Sequence, residues 1–101
     1  MNIQKFQQYV LEFSREKGFE NIPIETRVMF LMSEVGELTD EILKLKTNDN
    51  GTKQKDIKRD IGLEMFDVIW NIFDLANKLD ISLDAAFIDK ININKNREWV
   101  K

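Results

Sequence analysis

The stretch IETRVMFLMSEVGELTDEILKLK, residues 24–46, decides how this chain folds. Its apolar residues Val28, Leu31, Met32, Val35, Leu38, Ile42 and Leu45 recur at steps of three and four, the period of one helix face. Pro23 stands just ahead of it, and proline suits a first helical turn because the N–H it lacks has no partner there anyway.

Working outward, the same period marks three more helices. Phe6, Tyr9, Val10 and Phe13 carry it over residues 2–17, which Gly18 terminates. Ile61, Met65, Val68, Ile69, Ile72, Leu75, Ala76 and Leu79 carry it over residues 56–79. Ser82 is a good N-cap for a helix over residues 82–95, with Asp84 in its first turn where a negative charge suits the helix dipole. Residues 47–52, Thr-Asn-Asp-Asn-Gly-Thr, are polar and turn-rich and read as the longest loop, while Lys53 to Lys58 is too polar to place and extends it. No stretch alternates long enough for a sheet. The expectation is an all-α, four-helix-bundle-like subunit of one domain, residues 1–101.

The third helix carries a second signal. Phe66, Trp70 and Phe73 fall outside its main apolar face, and a helix apolar over so much of its circumference is normally covered on several sides. In so short a chain this predicts packing in a homo-oligomer, with the third helix near the subunit interface.

The composition narrows the chemistry. The chain has no cysteine and no histidine, which removes thiolate nucleophiles, disulfides, Ser-His-Asp catalysis and His- or Cys-held zinc. A net charge of −3 gives no support to binding a nucleic-acid polymer. No apolar run approaches the roughly 20 residues that span a bilayer, and residues 1–5 lack the apolar core of a signal peptide. The expected setting is therefore cytoplasmic, with no membrane partner.

Glu34 and Glu37 lie three apart on the second helix, and Glu64 and Asp67 three apart on the third, so each pair shares a helix face. Antiparallel packing of the two helices brings the pairs together. Four carboxylates at close range need a proton or a cation, and hard divalent cations with oxygen preference suit them, Mg²⁺ above all. Glu34, Glu37 and Glu64 also have few Lys or Arg neighbours one turn away, unlike a helix face laced with salt bridges. Gly36, inside a long helix, is costly unless a neighbouring helix approaches closely. Asn71 and Asp74 continue the Glu64/Asp67 stripe. Lys90 and Asn94 lie one turn apart near the C-terminal end, with Lys95 and Arg97, as a phosphate- or base-binding group or as an ordinary charged helix end.

These segments resemble the MazG-like family of the all-α nucleoside triphosphate pyrophosphatases. The family's E-x-x-E and E-x-x-D pairs stand here as Glu34/Glu37 and Glu64/Asp67, and its later K-x-x-x-N-x-x-R pattern as Lys90, Asn94 and Arg97. The resemblance covers about residues 25–99. It implies hydrolysis of an NTP or dNTP to the monophosphate and pyrophosphate. It implies that Glu34, Glu37, Glu64 and Asp67 hold Mg²⁺, with Mn²⁺ as a substitute. Asn71, Lys90, Asn94 and Arg97 become the candidates for substrate contact, and the assembly is expected to be a homodimer or a homotetramer of two dimers. Glu37 is the expected general base, which a carboxylate beside a metal can be without any histidine. Two alternatives stand beside this reading. One is a non-catalytic helical interaction module with a solvated acidic face. The other is the same fold acting on a phosphoribosyl-nucleotide. Base selection is expected to involve Trp70, Phe73 or Trp99.

Overall fold

Capping side chains set the ends of the helices. Asn2 accepts from the Lys5 backbone N–H at 2.8 Å and opens α1 (Ile3–Lys17). Gly18 closes it in the left-handed region, at φ +76°, where its N–H reaches the Arg15 and Ser14 carbonyls. A 3-10 turn at Phe19–Asn21 leads to Pro23 and α2 (Ile24–Thr47). Then come α3 (Gly51–Lys78) and α4 (Leu83–Lys95), the latter capped by Ser82 accepting from the Ala85 N–H at 3.2 Å. The computed structural model describes residues 1–48 and 51–100, the side chain of Thr52 excepted. Among these residues the chain is all-helical, and no helix is long and apolar enough to cross a membrane.

The boundary that differs from expectation is the start of α3. The helix begins at Gly51, not near Asp56, and α2 runs through Thr47. Of the expected loop over residues 47–52, Asp49 and Asn50 lie outside the described residues. Lys53, Lys55, Asp56 and Lys58 are solvent-exposed within the helix. Lys, Gln and Arg are good helix formers with no need of a buried face, so the turn persists on propensity where periodicity is silent.

α2 and α3 form the principal antiparallel pair, α1 lies across α3, and α4 packs chiefly on α1. The core is small. Val10 of α1 is fully buried against Trp70 and Phe73, with Phe6, Phe13, Phe19 and Leu83 around them. The rings meet edge to face, Phe6 on Phe73 at 4.8 Å and Phe13 on Trp70 at 6.0 Å, the arrangement the aromatic quadrupole favours. On the aromatic side of α3, Trp70 and Phe73 are covered by α1 of the same chain, while Phe66 stays 44% exposed. Also open is the side that carries Met65, Ile69 and Ile72, each more than 40% exposed.

A buried ion pair joins α2 to α3. Arg27 Nε lies 2.7 Å from Asp74 Oδ2, with side-chain exposures of 6% and 2%. Arg27 Nη1 donates to Asn71 Oδ1 at 2.8 Å, and its guanidinium lies over the rings of Trp70, Phe30 and Phe19. Lys78 adds a second cation 3.9 Å from Asp74 and ties down the carbonyls of Phe19 and Glu20. Removing one partner of such a pair strands a buried charge. Arg27→Met is expected to cost about 3–5 kcal/mol in urea unfolding, and Arg27→Met/Asp74→Met to restore most of it.

Candidate functional site

The register that sets Arg27 against Asp74 also builds the acidic site. In an antiparallel pair, seven residues forward on α2 and seven back on α3 is two turns in the same direction. That step places Glu34 opposite Asp67, and one further turn places Glu37 opposite Glu64. Carboxylate oxygens of Glu34, Glu37 and Glu64 lie within 4.8 Å of one another, a spacing that suits a shared cation. Asp67 falls outside this group of three but close enough to act on Glu34 and Glu64 by its charge. Gly36 makes no close approach. It is exposed, and a Cβ there would meet nothing within 4 Å.

The electrostatics match that crowding. The Glu34 carboxyl is pushed up to about 7, first by burial, then by sharing a proton with Glu37 and Glu64, then by the charges of Glu37 and Asp67. Glu64 is also raised, by desolvation first and by the charges of Glu37 and Asp67, although accepting the Glu34 proton pulls it the other way. The two carboxyls therefore interact closely, and the crowding favours the protonated form of Glu34. Oε2 of Glu34 and Oε2 of Glu64 are sealed from solvent, and carboxylate oxygens so placed are satisfied by a proton shared between them or by a cation.

Two cavities flank the acids. One, of about 550 Å³, holds Glu37 and Glu64 together with Asp40, Glu41, Lys44 and Thr47. Its cation, Lys44, lies 2.8 Å from Glu41, whose carboxylate raises the lysine's pKa. The other, of about 300 Å³, holds Glu34, Asp67 and Asn71 beside the rings of Tyr9, Phe13, Phe19, Phe66 and Trp70. Its walls come from α1, the 3-10 turn, α2 and α3, so it exists only once α1 has docked.

Not every expected site residue reaches this groove. Asn71 lines the aromatic cavity but is buried, and both ends of its amide are engaged: Oδ1 accepts from Arg27, and Nδ2 donates to the Asp67 carbonyl at 2.7 Å. Its amide therefore holds the α3 backbone beneath Asp67. Lys90, Asn94 and Arg97 lie on α4 and its end, and none of them lines either cavity beside the acids. Arg97 sits over the Trp99 ring at 4.4 Å, and Trp99 Nε1 donates to the Asn94 carbonyl. Phe73 is spent in the core against Phe6. Sequence reading missed Lys44, the place of the α1 and turn aromatic residues beside the acids, and the pairing of Asp74 with Arg27. For Arg27 a signal existed, since it precedes Leu31 by one turn on the packed face of α2.

No protein-family model matches the chain, and no solved structure matches it. The chain is similar to the Gene 37 protein of Mycobacterium phage L5, at 31% identity over 67 residues, which is 66% of this chain. It spans 57% of that relative's length.

The raised Glu34 carboxyl has a sign that thermal melts can read. Its folded value of about 7 stands above the ordinary 4.5, so between these values the folded state holds more protons than the unfolded. Without metal, Glu34 then withdraws stability as pH rises from the lower value to the higher, and the loss is complete above it. In EDTA, Glu34→Gln is expected to gain on the wild type between pH 5 and pH 8 as this penalty disappears, and to abolish any Mg²⁺-dependent rise in melting temperature.

Proposed function

We propose that the groove hydrolyses a nucleoside triphosphate to its monophosphate and pyrophosphate. The observation that carries the proposal is the union of two features: three converging carboxylates, two of whose oxygens are sealed from solvent, and an aromatic-walled cavity beside them. A carboxylate cluster alone suits any divalent cation. An aromatic slot of this kind next to it suits a planar base attached to phosphates. The resemblance of the Glu34/Glu37 and Glu64/Asp67 segments to the MazG-like pyrophosphohydrolases points the same way.

Glu34, Glu37 and Glu64 would hold Mg²⁺, with Asp67 at the margin, and their all-oxygen donor set fits that ion. When bound, the ion would offset phosphate charge and make water easier to deprotonate. The chain's own residues supply the rest. Tyr9, Phe13, Phe66 and Trp70 stack on the base and exclude water around it. Glu37, the exposed member of the three and the one that reaches the larger cavity, accepts the proton of the attacking water. The water oxygen bonds to the α-phosphorus, and the bond from that phosphorus to the α–β bridging oxygen breaks. Pyrophosphate then leaves on the side of Lys44, whose ammonium balances its charge. Lys90, Asn94 and Arg97 take part only if they approach this groove from another copy of the chain.

Pyrophosphate release from a panel of NTPs, dNTPs and a phosphoribosyl-nucleotide, with Mg²⁺, tests the reading. Wild type is expected to turn over at least one of them, and Glu37→Gln and Glu64→Gln to lose roughly 10²–10⁴-fold while melting cooperatively. Trp70→Phe is expected to weaken apparent substrate affinity more than it slows turnover. Absence of release from every substrate by folded wild type would contradict the proposal.

A further inference from the structure

The aromatic cavity beside the acids has few groups with which to choose a base. Its rings stack on any base, because every base has a flat π-face. The amide of Asn71, in its lining, is committed at both ends, to Arg27 and to the Asp67 carbonyl. Arg27 itself is held by Asp74. The Tyr9 hydroxyl and the Trp70 indole N–H can donate, but every base carries an acceptor nitrogen or carbonyl, so a donor alone separates the bases poorly. Of the other residues expected to select the base, Phe73 lies in the core and Trp99 does not line the cavity.

Asp67 is different. Glu37 and Glu64 line the larger cavity, whereas Glu34 and Asp67 line the aromatic one. Glu34 belongs to the converging group of three and Asp67 does not. Asp67 is thus the carboxylate of the aromatic cavity that the cluster leaves over, and no ion pair among the described residues engages it. Its backbone is braced from beneath by the Asn71 amide, which Arg27 holds in turn, so a contact made there costs little ordering. A carboxylate accepts two hydrogen bonds side by side and donates none. Guanine alone among the common bases matches this along one edge, with N1–H and an N2–H lying parallel. Adenine and cytosine set one amino N–H beside a ring nitrogen whose lone pair would face the second oxygen. Uracil and thymine set one N–H between two carbonyls.

We propose that Asp67 reads the base and that the groove takes guanine nucleotides in preference to the others. The inference rests on the reading of this groove as a nucleotide site, and it names which nucleotide. It gives Asp67 a role in specificity, in place of the cation-holding role that its position in the acidic pairs suggested. The rings of the cavity then supply affinity common to all bases, and the carboxylate supplies the choice among them.

Calorimetric titration of the wild type with GMP, IMP and AMP, all with Mg²⁺, isolates the base, because the three share one sugar and one phosphate. IMP differs from GMP only in lacking the N2 amino group. GMP is expected to bind about tenfold or more tighter than IMP or AMP. In folded Asp67→Asn, which offers one acceptor and one donor, the gap between GMP and IMP is expected to close. GMP that binds no tighter than IMP, or a gap that survives in folded Asp67→Asn, would overturn the proposal, and the wild-type comparison needs no variant. Pyrophosphate release from GTP and ITP separates this inference from the reading beneath it. Release at equal kcat/KM from both would end the guanine preference and leave hydrolysis standing. GMP-selective binding without release from any triphosphate would keep Asp67 as the base reader and end the hydrolysis.

Discussion

The Arg27–Asp74 pair is the constraint on which the rest of the molecule depends. A guanidinium and a carboxylate this deeply buried are tolerable only when paired and hydrogen-bonded, which leaves the two longest helices one register. Slippage by even one turn would strand both charges. The same register delivers Glu34 to Asp67 and Glu37 to Glu64, so the crowding of the acids follows from the packing beneath them. Asn71 transmits it locally, accepting from Arg27 and donating to the backbone of Asp67. The ion pair thereby contributes specificity of arrangement, whatever it contributes to net stability.

The cost appears at the acids. Burial, hydrogen bonding with Glu37 and Glu64 and the charges of Glu37 and Asp67 lift Glu34 well above its ordinary range. Natural folds hold such stress mainly where function needs it. The α2–α3 layer is in this sense two-faced. Its acidic side gathers three carboxylates, and its opposite side is apolar and exposed. α1 closes only part of the remainder, burying Trp70 and Phe73 and shaping the aromatic cavity beside Glu34.

Much of this was legible in the sequence where a single periodicity sufficed. The helical content, the caps at Gly18 and Ser82, and the two acidic pairs on facing helices follow from spacing alone. The start of α3 was not legible, because Lys53 to Lys58 are helical by propensity and present no apolar face. Tertiary choice was not legible either. Phe66, Trp70 and Phe73 form a stripe that calls for cover, but spacing does not say whether α1 or another chain supplies it. The role of Arg27 was hidden for a related reason: its partner Asp74 lies 47 positions away, and only the packed register pairs them. Lys90, Asn94 and Arg97 match a pattern in order, whereas the path of α4 keeps them out of this chain's own groove.

The central claim is that Glu34, Glu37 and Glu64 together demand a divalent cation, and direct ion binding tests it without regard to substrate. Titration of the folded chain with Mn²⁺, with free ion followed by electron paramagnetic resonance, is the measurement to make. The account predicts saturable loss of the free-ion signal, its recovery on adding excess Mg²⁺, and no loss in folded Glu64→Gln. A free-ion signal that rises in step with added Mn²⁺ in wild type, as it does in buffer alone, would contradict it.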